Sequence, residues 1–227
     1  MNGLLIISGA TGGIGAELVK QGVMQDYCVV ALYRNEEKLQ KILKGHSVEN
    51  VKAIKSVLGT QMDTTPIENA IVESTERHVY FIHTAFVIRP IERIGKMQKE
   101  AIIESINSNV AGGVLLTEAI VRACRIAQKE LTIVNITSGA SDHPLKGWSL
   151  YGAGKAYMKH YFASLSFEDN RIITHQFDPG VVDTAMQESI RATSEAIFDR
   201  VDEFKEYKIA GELKQPSAIA TEIMRIL

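Results

Sequence analysis

Cysteine is scarce: of 227 residues only Cys28 and Cys124 are cysteines, each inside an apolar stretch, so no disulfide framework is expected and a reducing compartment suits the chain. Net charge is nearly absent. Lys and Arg number 25 against 27 Asp and Glu, a formal −2, which gives no broad pull toward nucleic acid or anionic lipid, and neither is expected as a partner. The six histidines, His46, His78, His83, His143, His160 and His175, have no ligand spacing, and no metal is expected. Long apolar runs are missing too. Leu4 to Ile7 stops at Ser8-Gly9, too short for a signal-peptide core, and no later segment is long enough to span a bilayer, so a cytoplasmic location is expected. Internal repeats, low-complexity tracts and Pro/Gly-rich linkers are likewise absent. With 45 % apolar and 23 % charged residues, residues 1–227 read as one ordinary globular domain.

What the chain does contain is alternation. Strands are expected at Leu4–Ile7, Cys28–Tyr33, Val51–Leu58, Val79–Thr84, Leu131–Ile136 and Arg171–Phe177. Helices are expected at Ile14–Met24, Glu36–Leu43, Pro66–Thr75, Lys99–Ile126 with a glycine pair inside it, and about Leu150–Glu168, with helical sequence filling most of the remainder to Leu227. Short strands apolar on both faces, alternating with helices, predict a parallel sheet covered on both sides, the doubly wound α/β (Rossmann) fold.

Between the first strand and the first helix stands Ile7-Ser8-Gly9-Ala10-Thr11-Gly12-Gly13-Ile14-Gly15. Glycines let backbone turn tightly and approach a pyrophosphate, and the helix N-terminus offers free N–H groups and partial positive charge. The spacing fits both GxxxGxG (Gly9, Gly13, Gly15) and GxxGxxG (Gly9, Gly12, Gly15). Thr11 and Ile14 fall within the same turn. Strand two ends Leu32-Tyr33-Arg34-Asn35 with no carboxylate for a ribose 2′-hydroxyl, whereas Arg34 can pair bidentately with a 2′-phosphate; NADP(H) is therefore the expected cofactor. A bare strand end solvated by Arg34 is the plainer alternative.

Tyr151 and Lys155 lie at i and i+4, on one helical face. Thirteen residues earlier Leu131–Ile136 runs into Thr137-Ser138, which brings the Ser138 hydroxyl to the cleft at the carboxyl end of the sheet. Reduction of a ketone loads negative charge on oxygen and needs a positioned acid. A phenol at its reference value of about 10 would have to fall by about 3 units, ~4 kcal/mol, to work near neutrality, and a neighbouring ammonium acts in that direction. Ser138 would hold the carbonyl oxygen.

With strand, Ser, Tyr and Lys in register, the chain from Leu4 to about Met186 resembles the classical short-chain dehydrogenase/reductase family. Chain length favours the GxxxGxG form over that of the longer, extended relatives. The resemblance implies NADPH-dependent reduction of a carbonyl substrate, with Ser138, Tyr151, Lys155 and Asn109 in the catalytic group, Asn109 holding a water for Lys155. Asn109 rather than Asn107 matches the family's Asn-x-x-Gly, though an ordinary helix polar residue is the alternative. It further implies that Gly9, Thr11, Gly13, Ile14, Gly15, Arg34, Asn35, Thr84, Ala85, Pro179, Gly180, Val182 and Thr184, with Tyr151 and Lys155, hold the cofactor. Asp63 matches an adenine contact, with a helix cap as its alternative.

The stretch Phe177-Asp178-Pro179-Gly180-Val181-Val182-Asp183-Thr184-Ala185-Met186-Gln187, and Gly147-Trp148-Ser149, look like the sepiapterin reductase and bacterial benzil reductase branch. That implies a vicinal or aromatic diketone as substrate and a covering segment at about 185–207. A non-catalytic dinucleotide sensor on the same fold is the alternative function; such proteins tend to lose the Tyr or Lys retained here. Two departures stand out. His83-Thr84-Ala85-Phe86 replaces the family's Asn-Asn-Ala-Gly, and a seventh strand is not seen, so six are expected. A homodimer through the helices beginning near Asn109 and Leu150 is the expected assembly.

Overall fold

The computed structural model describes residues 1–46 and 48–227. Six parallel strands, β1 (Leu4–Ser8), β2 (Cys28–Tyr33), β3 (Val51–Lys55), β4 (His78–His83), β5 (Glu130–Ile136) and β6 (Ile172–Phe177), form one sheet in the order β3-β2-β1-β4-β5-β6. The order reverses between β1 and β4, and at this switch point the carboxyl ends of the strands open a crevice. Register is fixed by direct pairing, Leu4 opposite Cys28 on one side and Val79 on the other.

The helices are α1 (Gly13–Met24), α2 (Glu36–Leu43), α3 (Thr65–Glu73), α4 (Lys99–Ile106), α5 (Gly112–Ile126), α6 (Ser149–Glu168), α7 (Ala185–Arg191), α8 (Val201–Ile209) and α9 (Pro216–Met224). Alternation along β1 splits the core in two. Leu4 and Ile6 join Phe81, Leu116, Ile133 and Phe162 on the face covered by α3, α5 and α6; Leu5 and Ile7 join Leu18, Leu39, Ile82 and Ile223 on the face covered by α1, α2 and α9. Each such side chain contributes about 1.5–3 kcal/mol on burial. A third cluster, with Trp148, Ile190, Phe198, Val201 and Phe204, roofs the crevice.

The continuous helix expected over Lys99–Ile126 is interrupted. One turn of π-helix, Asn107–Ala111, separates α4 from α5. The extra residue is accommodated where Gly112 packs against the backbone of Leu58 and Gly59, and Asn107 Oδ1 accepts the Thr60 N–H at 2.9 Å. The C-terminal helical sequence is also broken, into α7, α8 and α9. Among the described residues no helix is long and apolar enough to cross a membrane.

Candidate active site

One cleft of about 1000 Å³ runs along the carboxyl edge of the sheet. Its first wall is the β1–α1 turn. Gly9 has φ +69°, open to glycine at little cost, and a Cβ there would stand 3.0 Å from the Ala85 backbone. The two possible spacings separate here. A Cβ on Gly13 would stand 2.6 Å from the Thr184 methyl, whereas one on Gly12 would meet nothing closer than 3.3 Å. The close-packed set is thus Gly9, Gly13 and Gly15. No acidic residue occupies the first turn of α1, so its N-terminal N–H groups face the cleft with their partial charge uncompensated.

Thr11, Ile14, Arg34, Asn35, Thr84, Ala85, Pro179, Gly180, Val182 and Thr184 all line this cleft with the three glycines. Asn35 caps α2, its Oδ1 accepting the Lys38 N–H at 2.9 Å. Arg34 is exposed on the rim beside Lys38. The nearest carboxylate in sequence, Glu36, is turned to Tyr33 and Gln40. Asp63 departs from expectation. It is exposed and lies outside the cleft, where Ser56, Val57 and Leu58 stand instead; its carboxylate accepts the Thr65 N–H at 3.0 Å at the start of α3, and the Thr65 hydroxyl, with that N–H, holds it below the usual carboxylate range. The N-cap of α3 is Thr64, so Asp63 sits one residue outside the cap.

The second wall carries the reactive groups. Ser138 follows β5 in extended backbone and accepts the Ala140 N–H; its hydroxyl faces the Tyr151 phenol. Tyr151 and Lys155 are buried, one turn apart on α6. Lys155 Nζ donates to the Ile136 carbonyl at 2.6 Å and lies 4.1 Å over the Phe86 ring and 5.9 Å from the Tyr151 ring centroid. In the protein alone the phenol shifts upward. Burial pushes Tyr151 up to about 12, with Asp178 adding to the rise and only Ser138 opposing it. Burial also pushes Lys155 down to about 7, so the ammonium that was to stabilise phenolate is itself costly to keep charged. A neutral phenol is the form an acid must start from.

Asn109 is buried in the π-turn, but its amide works on the loop after β4: Oδ1 accepts the Val87 N–H and Nδ2 donates to the Val87 carbonyl, both at 2.8 Å. The side chain thus positions that loop, and Asn109 lines the same cleft as Lys155.

The role of Ser8 escaped the sequence reading, while His83, part of the departure His83-Thr84-Ala85-Phe86, is its partner. Ser8, fully buried, lies 3.1 Å from His83 Nδ1 and accepts the Ala85 N–H, knitting β1 to the loop after β4; a hydroxyl at a strand end gives no signal of this. His83 Nε2 is buried with no partner among the described residues, and desolvation, aided by nearby Lys155, pushes the ring down to about 3, so it is a neutral core histidine.

The substrate side is aromatic. Trp148 stacks on Phe198 (4.7 Å, 8°) and meets Tyr151 and Phe204 edge to face, while Met186, Gln187 and Ile190 of α7 and Tyr207 of α8 complete the lining. The segment between α7 and α8 is clasped from below: Arg93 Nε and Nη2 both donate to the Ala196 carbonyl at 3.1 and 3.0 Å, and Lys146 pairs with Asp199 at 2.6 Å.

Comparison with known proteins agrees with this geometry. A family model described as short chain dehydrogenase matches residues 4–195. Benzil reductase ((S)-benzoin forming) of Bacillus subtilis (strain 168) is 29 % identical over 229 residues, 99 % of this chain and 93 % of that protein. Sepiapterin reductase of Bos taurus is 26 % identical over 238 residues, 99 % of this chain and 89 % of that protein. Among solved structures, the KRED1-Pglu enzyme superposes with a TM-score of 0.83 at 28 % identity, covering 96 % of this chain and 91 % of that one. With the matched segment spanning the sheet, the glycine turn and the Ser-Tyr-Lys group, the chain belongs to the short-chain dehydrogenase family.

Proposed function

We propose that this protein is an NADPH-dependent carbonyl reductase that reduces one carbonyl of a vicinal or aromatic diketone. The observation that carries the reading is the buried Tyr151–Lys155 pair, with Ser138 opposite, set in a cleft that runs from a glycine cradle on one side to an aromatic wall on the other. The residues fit a phosphorylated dinucleotide: Gly9, Gly13 and Gly15 keep side chains out of the β1–α1 turn, the α1 N-terminus offers donors, and Arg34 and Lys38 supply cations at the end of β2 where no carboxylate points in. When bound, the nicotinamide supplies the hydride.

The chain's own residues do the rest. Ser138 donates a hydrogen bond to the carbonyl oxygen and aligns it with Tyr151. As the carbonyl carbon takes up hydride, the phenol O–H bond breaks and its proton passes to that oxygen, which becomes the hydroxyl of the alcohol product. Lys155, one turn below, lowers the cost of the phenolate once charged, and solvent restores the proton. The aromatic lining from Trp148, Phe204 and Tyr207, with Phe198 stacked behind Trp148, excludes water and suits flat aryl ketones. The likeness to benzil reductases supports a diketone over a simple ketone. The protein acts in the cytoplasm as a homodimer built on α5 and α6, where Leu115 (40 % exposed) and Tyr157 (50 % exposed) present apolar surface.

The test is NADPH oxidation with benzil and a panel of mono- and diketones. Turnover of diketones is expected, with Tyr151→Phe lowering kcat by at least ~10²-fold, the usual worth of a general acid, while the NADPH dissociation constant changes less than a few-fold. Undiminished turnover in Tyr151→Phe refutes the assignment.

A further inference from the structure

We propose that Phe86 is a positioning residue for Lys155 and Tyr151, sealing both side chains from water, and that Gly154 is the place on α6 cut to admit its ring. Four contacts meet at this ring. Lys155 Nζ stands 4.1 Å over its face, and Tyr151 meets it edge to face at 5.5 Å and 86°. A Cβ on Gly154 would lie 3.0 Å from Phe86 Cζ. The ring also packs against both the core under α5 and α6 and the cluster that roofs the cleft.

The backbone that carries the ring is held in place. Its neighbour Val87 is held at both N–H and C=O by the Asn109 amide, and Ile88 is buried. Lys155 carries three donors but spends one on a protein acceptor, the Ile136 carbonyl. The Phe86 face occupies a second side where water would otherwise sit. The ionisable groups facing Lys155 are Tyr151 on its own helix, Asp178 after β6, and His83 on β4, which is buried and neutral. An aromatic face attracts an ammonium, but exclusion of water from a buried amine outweighs that attraction. The ring therefore decides both where Lys155 points and how dry it is.

The proposal rests on the reading of Tyr151 and Lys155 as acid and partner, and two measurements separate the two. In the cofactor-free protein, ¹³C-labelled lysine ε-carbons are titrated by NMR, with Lys155 identified by loss of its signal in Lys155→Met. Phe86→Ala is expected to raise the Lys155 midpoint by about one pH unit or more as water enters, while Phe86→Leu, which lacks only the far end of the ring, moves it much less. In the assay, Gly154→Ala is expected to lower kcat about tenfold by displacing the ring, and Phe86→Leu added to it restores most of the loss. An unmoved midpoint in folded Phe86→Ala, or a Gly154→Ala defect that Phe86→Leu does not relieve, overturns the seal. A moved midpoint in a protein that reduces no ketone keeps the seal and removes the reductase.

Discussion

Two side chains on one helical turn are pushed away from their charged forms by the same cause, burial, and the consequence is clearest residue by residue. Tyr151 is held as a phenol and Lys155 near its midpoint at neutral pH, so the pair stores a proton rather than a phenolate until charge is brought beside it. At the other end of the cleft Arg34 stands without a carboxylate opposite. Arg34→Asp removes charge-assisted bonds worth about 1.5–3 kcal/mol each and adds repulsion, so NADPH should lose at least tenfold in kcat/KM relative to NADH; an unchanged ratio of the two cofactors rules out Arg34 as the 2′-phosphate partner. His83 makes a pH prediction. Its folded-state pKa lies below its ordinary value, at about 3, so the folded protein binds fewer protons than the unfolded chain between about 6.5 and 3. The stability it lends is present above about 6.5 and is lost as pH falls through that window. In urea melts between pH 7 and 4, His83→Gln should be less stable than wild type at pH 7 and lose its disadvantage on acidification; a gap that stays constant with pH contradicts the buried neutral ring.

At the scale of elements, the strands and the β1–α1 turn were legible because a parallel strand buried on both faces is largely apolar, as Leu4–Ile7 is throughout and Leu131–Ile136 is but for Thr132 and Asn135. Ser138, Tyr151 and Lys155 could be placed together because a strand end and a helical i, i+4 pair are both set by local geometry. What was not legible depends on contacts between distant segments. The π-turn at Asn107–Ala111 answers the approach of Gly112 to Leu58 and Gly59, which no periodicity records. Asp63 reads as a cofactor contact by position, yet Thr65 two residues on captures its carboxylate. In the protein without cofactor, burial outweighs the neighbouring charge at the Tyr151 phenol, a balance that only the packing reveals. The segment between α7 and α8 offers a test at this scale. Arg93→Ala removes both donors to the Ala196 carbonyl. The loosened segment should be cut several-fold faster by a nonspecific protease, and KM for the ketone should rise about three- to tenfold, a cost of roughly 1 kcal/mol for the lost bonds, with NADPH affinity unaltered. Equal protease rates would show that the clasp does not hold the cover.

For the whole molecule, near-zero net charge leaves association to apolar surface, and exposed Leu115 and Tyr157 project from the helices expected to pair. Light scattering coupled to size exclusion should give twice the chain mass for wild type and the chain mass for Leu115→Lys; a variant that remains double locates the contact elsewhere. The splitting of the core by β1 also governs how the molecule comes apart. Leu4 and Ile6 anchor one layer of helices and Leu5 and Ile7 the other, all within one five-residue segment hydrogen-bonded on both sides. Neither layer has a floor of its own. Heating or denaturant must strip both at once, and the molecule melts as a single unit rather than shedding one coat and keeping the other.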